Sequence, residues 1–559
     1  MPVAEHHEAN YKKGISISDG RRNRQDTAVQ IRKAKRLESL KKRRNLRRVE
    51  SGDSNDAAPS MTSTGANAKS TVFGDLRCSI ENIARFAEAV KRTDNPTVHH
   101  EGIKYIRKLL SRAQDPPVDD ILQAGVLPYL VEAIKGTDNL RTVFEASWAL
   151  TNIASTEYTH VVVDSGACPY LVTLLRSNDA DIREQAAWCL GNIAGDRTAY
   201  RDMLLGFPES IHNLLLNIKE PANLSLLKNV TWCLSNFCRG KPQPKLETIA
   251  AAIPALVYLL DHDDVEVLTD ATWALSYISD GDDHRIEACV NSGAVPKLIN
   301  LLGHSSSSVV TPALRVIGNL VSGNDQSTQF ILNAGALSPL CALMKHKKKG
   351  IRKESCWAIS NISAGTHDQI KTVLGNRDLM GHIITIATEG EWDVRKEATW
   401  AFCNIATGGT DEMIHQLFLL EGAWGCLAGL LNVADTKILT LALDAIDQGL
   451  RVGEQFGLDF AERFEEGNGQ DISGLDALDN LQNHENETVY TKAVSLLEKY
   501  YGAEDENSDN TDMAPAVVGK TFSFGASAPP TAPAAPMSFN FGSNIPPAAP
   551  FNFGSTTAI

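Results

Sequence analysis

Seven phrases of one shape recur along this chain: WALTNIA (148–154), WCLGNIAG (188–195), WCLSNFC (232–238), WALSYIS (273–279), RVIGNLVSG (315–323), WAISNIS (357–363) and WAFCNIA (400–406). From the start of one to the start of the next the steps are 40, 44, 41, 42, 42 and 43 residues. Between them runs a second phrase, AGVLPYL (124–130), SGACPYLVTLL (165–175), AAIPALVYLL (251–260), SGAVPKLINLL (292–302) and AGALSPLCALM (334–344), each marking a turn followed by a helix. Apolar residues keep helical spacing from roughly 75 to 500, with no convincing alternation of β-branched residues, so this part reads as all helix. At 559 residues the chain is longer than one compact core usually grows, and stacked repeats resolve that difficulty.

A step of this length, with two or three helices per unit, is the armadillo/HEAT period. It predicts an all-α, right-handed superhelical solenoid of eight to ten units over 75–501, with irregular first and last units acting as caps. One helix from every unit would line a long concave groove. The segment EPANLSLLKNV lengthens one repeat to the 44-residue step, so a loop is expected there, away from the groove.

The ends differ from the middle. Residues 12–48 carry 15 Lys/Arg against three acids, whereas everything after residue 48 has 39 bases against 63 acids. A basic arm (1–50) is thus tethered to an acidic body through a Ser-, Asn- and Gly-rich linker (51–74), and their attraction should weaken with salt. After 502 the chain is first acidic, then Pro- and Ala-rich, with FSFG at 522–525 and FNFG at 539–542 and 551–554, a composition that predicts disorder. No apolar stretch reaches membrane-spanning length and the N-terminus does not resemble a signal peptide, so a soluble, non-secreted protein is expected. Ten cysteines without CxxC pairs read as small buried hydrophobes, among them Cys189, Cys233, Cys356 and Cys403, with neither zinc site nor disulfide frame.

Six of the eight tryptophans stand in register: Trp148, Trp188, Trp232, Trp273, Trp357 and Trp400. Asn follows four residues later in five of these phrases, at Asn152, Asn192, Asn236, Asn361 and Asn404, and i, i+4 residues share one helix face. For a single pair, core packing by Trp and capping by Asn would be the simpler account. Recurrence favours a groove-facing row instead, since a buried Asn in every unit would need a satisfied partner each time. Asn offers a donor and an acceptor to the backbone of an extended peptide, and indole faces accept the stems and cations of Lys and Arg. Nearby acids, including Asp164, Glu184, Asp196, Asp270 and Glu397, would pair with the cationic ends. Tyr277 replaces one Asn and Arg315 one Trp, which divides the row into two binding segments able to hold a peptide with two basic clusters.

The basic arm RRNRQDTAVQIRKAKRLESLKKRRNL, the Trp-x-x-x-Asn repeats and the Tyr277/Arg315 break together resemble the importin alpha (karyopherin alpha) family, over about 12–501. The resemblance implies a nuclear import adaptor without enzymatic activity or cofactor. The arm would bind importin beta, with Arg32, Lys33, Lys35 and Arg36 among its contacts, while Lys41, Lys42, Arg43 and Arg44 mimic a nuclear localisation signal and fold back onto the groove as an autoinhibitor. The family's major cargo site maps to Trp148, Asn152, Ser155, Thr159, Trp188, Asn192, Asp196, Trp232, Asn236 and Asp270. Its minor site maps to Trp273, Tyr277, Arg315, Asn319, Trp357, Asn361, Glu397, Trp400 and Asn404. Asp196 would take the deepest cargo lysine. The end of the solenoid, 471–501, would meet an export receptor of the cellular apoptosis susceptibility type, and Ran-GTP would release the carrier in the nucleus. The protein would shuttle between cytoplasm and nucleus. FxFG motifs are more typical of nucleoporins: either they let the tail engage transport receptors or the pore meshwork, or they are inert Phe-Gly pairs in a Pro-rich tail.

Two other binding modes compete. A β-catenin-like scaffold would need a basic groove for acidic ligands, whereas this body is acidic. Nucleic-acid binding through the arm leaves the complementary groove unexplained. An enzyme is disfavoured, as the chain has no phosphate-cradling glycine loop, nucleophile elbow or His/carboxylate cluster at useful spacing.

Overall fold

The computed structural model describes residues 72–501, apart from 75, 113–114, 137–138 and 468–472, together with the backbone of 516–518 and 521–523. The basic arm, with Arg32, Lys33, Lys35, Arg36, Lys41, Lys42, Arg43 and Arg44, and both FNFG motifs lie outside the described residues. The chain divides after Tyr500 into two units.

The first unit is an all-α armadillo solenoid. Among the described residues ten long helices form its spine: α1 (Pro96–Leu110), α2 (Leu140–Ala154), α3 (Ala180–Asp196), α4 (Leu224–Cys238), α5 (Val265–Ile278), α6 (Ser307–Leu320), α7 (Lys349–Ser363), α8 (Trp392–Gly408), α9 (Thr436–Phe456) and α10 (Glu487–Tyr500). Each packs against the next, in order, from α1 to α10. Two shorter helices precede each of them from α2 onward, for example Val118–Gln123 and Leu127–Ala133 before α2, whereas Ile83–Lys91 is the one α-helix described before α1.

Local chemistry fixes these boundaries. The turn between the two short helices is made by Gly125, Gly166, Gly293, Gly335 and Gly422, all with φ between 72° and 88°, a left-handed conformation that a side chain would strain. Asn95, Asn139, Asp179, Asn223, Asp264 and Asp435 cap spine helices by accepting hydrogen bonds from first-turn amides. In the lengthened repeat only Glu220–Asn223 fall between helices; the rest of EPANLSLLKNV begins α4, about two turns before Trp232.

The core is as periodic as the sequence. Two and five residues after each ladder position stand Leu150 and Ile153, Leu190 and Ile193, Leu234 and Phe237, Leu275 and Ile278, Ile317 and Leu320, Ile359 and Ile362, and Phe402 and Ile405, all 0% exposed. At 3.6 residues per turn their face lies about 150° around the helix from the ladder face. The Trp and Asn rows are therefore separate from the core between the helices of one repeat. Of the ten cysteines, nine are buried and none is in a disulfide; burial pushes the thiols of Cys238, Cys289, Cys356 and Cys426 up to about 12. Among the described residues no single helix is long and apolar enough to cross a membrane.

In the second unit two three-residue strands pair in antiparallel fashion, β1 (Ala516–Val518) with β2 (Thr521–Ser523), Val517 opposite Phe522. A Gly-Lys step between two β-prone triplets is a hairpin signal within the low-complexity composition.

Candidate peptide-binding groove

The ladder is built from consecutive spine helices, and its Asn residues do two jobs. Asn192 Nδ2 donates to the Thr151 carbonyl at 3.2 Å, Asn236 to Gly191 at 2.9 Å, Asn319 to Ser276 at 3.1 Å and Asn404 to Ser360 at 3.0 Å. In each case the acceptor lies on the preceding spine helix, one residue before its own rung. Asn152 donates instead to Ser111 Oγ at 3.0 Å, and Asn319 also to Ser279 Oγ. Asn361 departs from this, with an enclosed Nδ2 that has no hydrogen-bond partner.

This corrects the expectation that recurrent Asn residues must avoid burial. Asn152, Asn236, Asn319 and Asn404 are buried, and the neighbouring repeat supplies the satisfied partner every time. A carboxamide has two N–H groups and a carbonyl, so one N–H ties repeat to repeat while the remaining groups can face a ligand. Asn192 and Asn361 are half-buried.

The indoles divide similarly. Trp148, Trp232, Trp357 and Trp400 are half-buried, whereas Trp188 and Trp273 are 5% and 8% exposed. Trp232 packs so closely on the preceding helix that a Cβ at Gly191 would lie 2.3 Å from its ring, and a Cβ at Gly318 would lie 2.2 Å from Trp357. Glycine in these two helices is thus the seat of the next indole. Gly191→Ala should destabilise the fold by about 1–3 kcal/mol through overpacking, although alanine in a helix interior ordinarily gains about 1 kcal/mol over glycine. Gly350, with open space around it, provides the contrast: Gly350→Ala should be neutral or stabilising. In thermal melts Gly191→Ala should lower the midpoint and Gly350→Ala should hold or raise it, with a change in tryptophan emission for Gly191→Ala alone.

The break is a physical closure. Tyr277 stacks on Trp273, ring centroids 5.8 Å apart and planes 22° from parallel, and Tyr277 is also buried. One helix later Arg315 forms a two-point pair with Glu354, at 2.7 and 2.8 Å. Burial opposes the Arg315 charge, but Glu354 outweighs it and holds the guanidinium pKa above its ordinary value. The Trp273 face and the Arg315 charge are both engaged within the chain, with Trp148, Trp188 and Trp232 on one side and Trp357 and Trp400 on the other.

An equivalent closure at the other end escaped the sequence reading. Arg107 and Ser111 stand 41 residues before Trp148 and Asn152, in the ladder register, but lack the Trp-x-x-x-Asn pattern. Arg107 bonds Glu145 at 2.6 and 3.2 Å and lies over the Trp148 ring, 4.3 Å from its centroid. Glu145 and Glu354 each stand three residues before a ladder Trp, so the Arg–Glu bridge repeats. The repeat period, extended one step backward, was the signal that could have found it.

The acids sort by position. Asp196 ends α3 with 27% of its side chain exposed and pairs with Arg197 at 2.9 Å. Asp270, buried, and Glu397, half-buried, take the position of Glu145 and Glu354 before their own Trp. Two expected selectors do not serve: Glu184 is buried and accepts from Ser225 and Asn229, tying α3 to α4, and Asp164 ends the short helix Thr159–Asp164 rather than a spine helix. Thr159 is buried with its hydroxyl bonded to the Ala154 and Thr156 carbonyls, and Ser155 donates to the Asn152 carbonyl at 2.8 Å. Both hydroxyls shape the turn after α2.

Known proteins resemble this chain over most of its length. Residues 7–84 match the importin beta binding domain; 114–155, 155–195, 241–280, 282–322 and 324–364 match the armadillo/beta-catenin-like repeat; and 470–516 match the atypical Arm repeat. Importin subunit alpha-6 of Arabidopsis thaliana is 43% identical over 528 residues, covering 92% of this chain and 95% of its own length. Importin subunit alpha-1a of Oryza sativa subsp. japonica is 41% identical over 525 residues, covering 92% and 95%. Among solved structures, an engineered protein superposes with a TM-score of 0.66 at 25% identity, over 75% of this chain and 98% of its own. The ladder, the closures that divide it and these matches lead to one conclusion: the chain belongs to the importin alpha family of nuclear import adaptors.

Proposed function

We propose that this chain binds basic nuclear localisation signals along the ladder and links them to importin beta through its N-terminal arm. The observation that carries this reading is the coincidence, on one face of successive spine helices, of indoles, carboxamides and carboxylates, bounded by Arg107–Glu145 and interrupted at Tyr277 and Arg315–Glu354. Cationic stems fit between indoles, carboxamides hold the peptide backbone, and Asp196 and Asp270 meet the charged ends. Trp148, Asn152, Trp188, Asn192, Trp232 and Asn236 form the major segment. Trp357, Asn361, Glu397, Trp400 and Asn404 form the minor one, with Asn319 at its edge.

Lys41, Lys42, Arg43 and Arg44 then act as a tethered competitor for the major segment, and Arg32, Lys33, Lys35 and Arg36 as contacts for importin beta. The domain division follows: arm 1–50, linker 51–74, solenoid 75–501 and tail 502–559. By the same reading 471–501 receives the export receptor, the FxFG tail meets transport receptors or nucleoporins, and the protein shuttles between cytoplasm and nucleus. The test is a fluorescence anisotropy titration of one- and two-cluster basic peptides against the full-length chain, with and without importin beta. Importin beta should increase affinity for both, and the two-cluster peptide should bind more tightly by at least about tenfold, as expected for linked sites. Indifference to importin beta, or equal affinity for an acidic peptide, would refute the reading.

A further inference from the structure

Asp196, the acid to which the proposed function gives the deepest cargo lysine, already has a cation beside it. Arg197 follows it in extended backbone (φ −147°, ψ 157°) between α3 and the helix Thr198–Leu205, and its Nε lies 2.9 Å from Asp196 Oδ2. The same guanidinium lies over the Tyr200 ring, 4.7 Å from the centroid. Its side chain is 56% exposed, against 13% for Arg107 and 17% for Arg315, two other arginines at the ladder. Those two each grip a carboxylate with two hydrogen bonds between packed helices. Arg197 holds Asp196 through one contact and retains a second resting place on Tyr200.

We propose that Arg197 is a specificity-determining residue: a displaceable internal cation that occupies the Asp196 carboxylate until a peptide cation expels it. The inference rests on the proposed function and deepens it. A one-point, largely solvated ion pair costs little to break, so a strongly basic cluster replaces it readily. A peptide offering a single weakly held lysine gains less from Asp196 than it would from an unoccupied acid. Arg197 thereby raises the basicity a peptide needs in order to bind, without enclosing the seat. On displacement the guanidinium keeps its contact with Tyr200, whose aromatic face retains part of its interaction.

The experiment uses the full-length chain carrying Lys41→Ala, Lys42→Ala, Arg43→Ala and Arg44→Ala, so that the arm's own cluster does not respond to the same substitutions. The probe is a fluorescein-labelled peptide copying residues 39–46, SLKKRRNL. Arg197→Gln should tighten binding about two- to fivefold, the range set by an exposed ion pair. Arg197→Lys, which keeps a cation beside Asp196, should stay close to the parent. In an Asp196→Asn background, Arg197→Gln should have no effect, which separates competition for the carboxylate from a general change in charge. Unchanged affinity for Arg197→Gln, with Asp196→Asn still weakening the peptide, would overturn the proposal and leave the site reading intact. Equal tightening in both backgrounds would overturn it as well. If Asp196→Asn itself leaves the peptide unaffected, the site reading fails and takes the proposal with it.

Discussion

Asp196→Lys should raise the dissociation constant for the single-cluster peptide SLKKRRNL at least about a hundredfold, equivalent to about 3 kcal/mol, which in an anisotropy titration is loss of measurable binding. The substitution removes the carboxylate and places a like charge beside the incoming lysine, so attraction is replaced by repulsion in a partly enclosed seat. It should not unfold the chain. Asp196 is the last residue of α3, where a carboxylate opposes the helix dipole and a lysine complements it, so the thermal melt should hold or rise slightly. That position is itself informative, because an acid at a helix C-terminus works against local electrostatics. A two-cluster peptide should keep weaker binding through Trp357 and Trp400. Near-normal affinity for SLKKRRNL would sink the assignment of Asp196.

Much of this was legible because the repeat step is nearly constant. A period fixes which residues share a face, and the faces of α2 to α8 are those expected. The position of Tyr277 and Arg315 also announced a break. What the residues did not reveal is how the break is made: that Tyr277 covers Trp273 and Glu354 takes Arg315 are contacts across three dimensions, whereas a pattern shows only the odd residue. The Asn row misled for a related reason. The partners of Asn192, Asn236, Asn319 and Asn404 are backbone carbonyls one repeat earlier, and a carbonyl leaves no mark in the sequence. Gly191 did leave one, standing where Thr151, Ser235 and Ser360 occupy the equivalent position, but its meaning depends on where the Trp232 ring lies. Arg107 was hidden because its rung lacks both signature residues.

Deleting residues 1–70 should strengthen binding of SLKKRRNL about ten- to a hundredfold in the absence of importin beta, and hardly at all in its presence. The size follows from tethering. From Arg44 to the first described residue, Val72, there are about 28 residues, and a Ser/Gly-type coil of that length has a root-mean-square span of roughly 30 Å. Packed helices sit about 10 Å apart, so the first ladder rungs fall well inside this reach. A short tether of this kind presents its end at an effective concentration on the order of 1 mM. If the arm's cluster binds the groove with a dissociation constant of about 10–100 µM, it suppresses an external peptide by the ratio of the two figures, about ten- to a hundredfold. The attraction joins a +12 stretch to an acidic body, so the suppression should shrink as salt rises from about 50 to 300 mM. Full-length chain carrying Lys41→Ala, Lys42→Ala, Arg43→Ala and Arg44→Ala should match the deletion, because those four side chains, rather than the length of the arm, compete for the seat at Asp196. Equal affinity for the full-length and shortened chains would refute autoinhibition and leave the arm as a docking segment for importin beta alone.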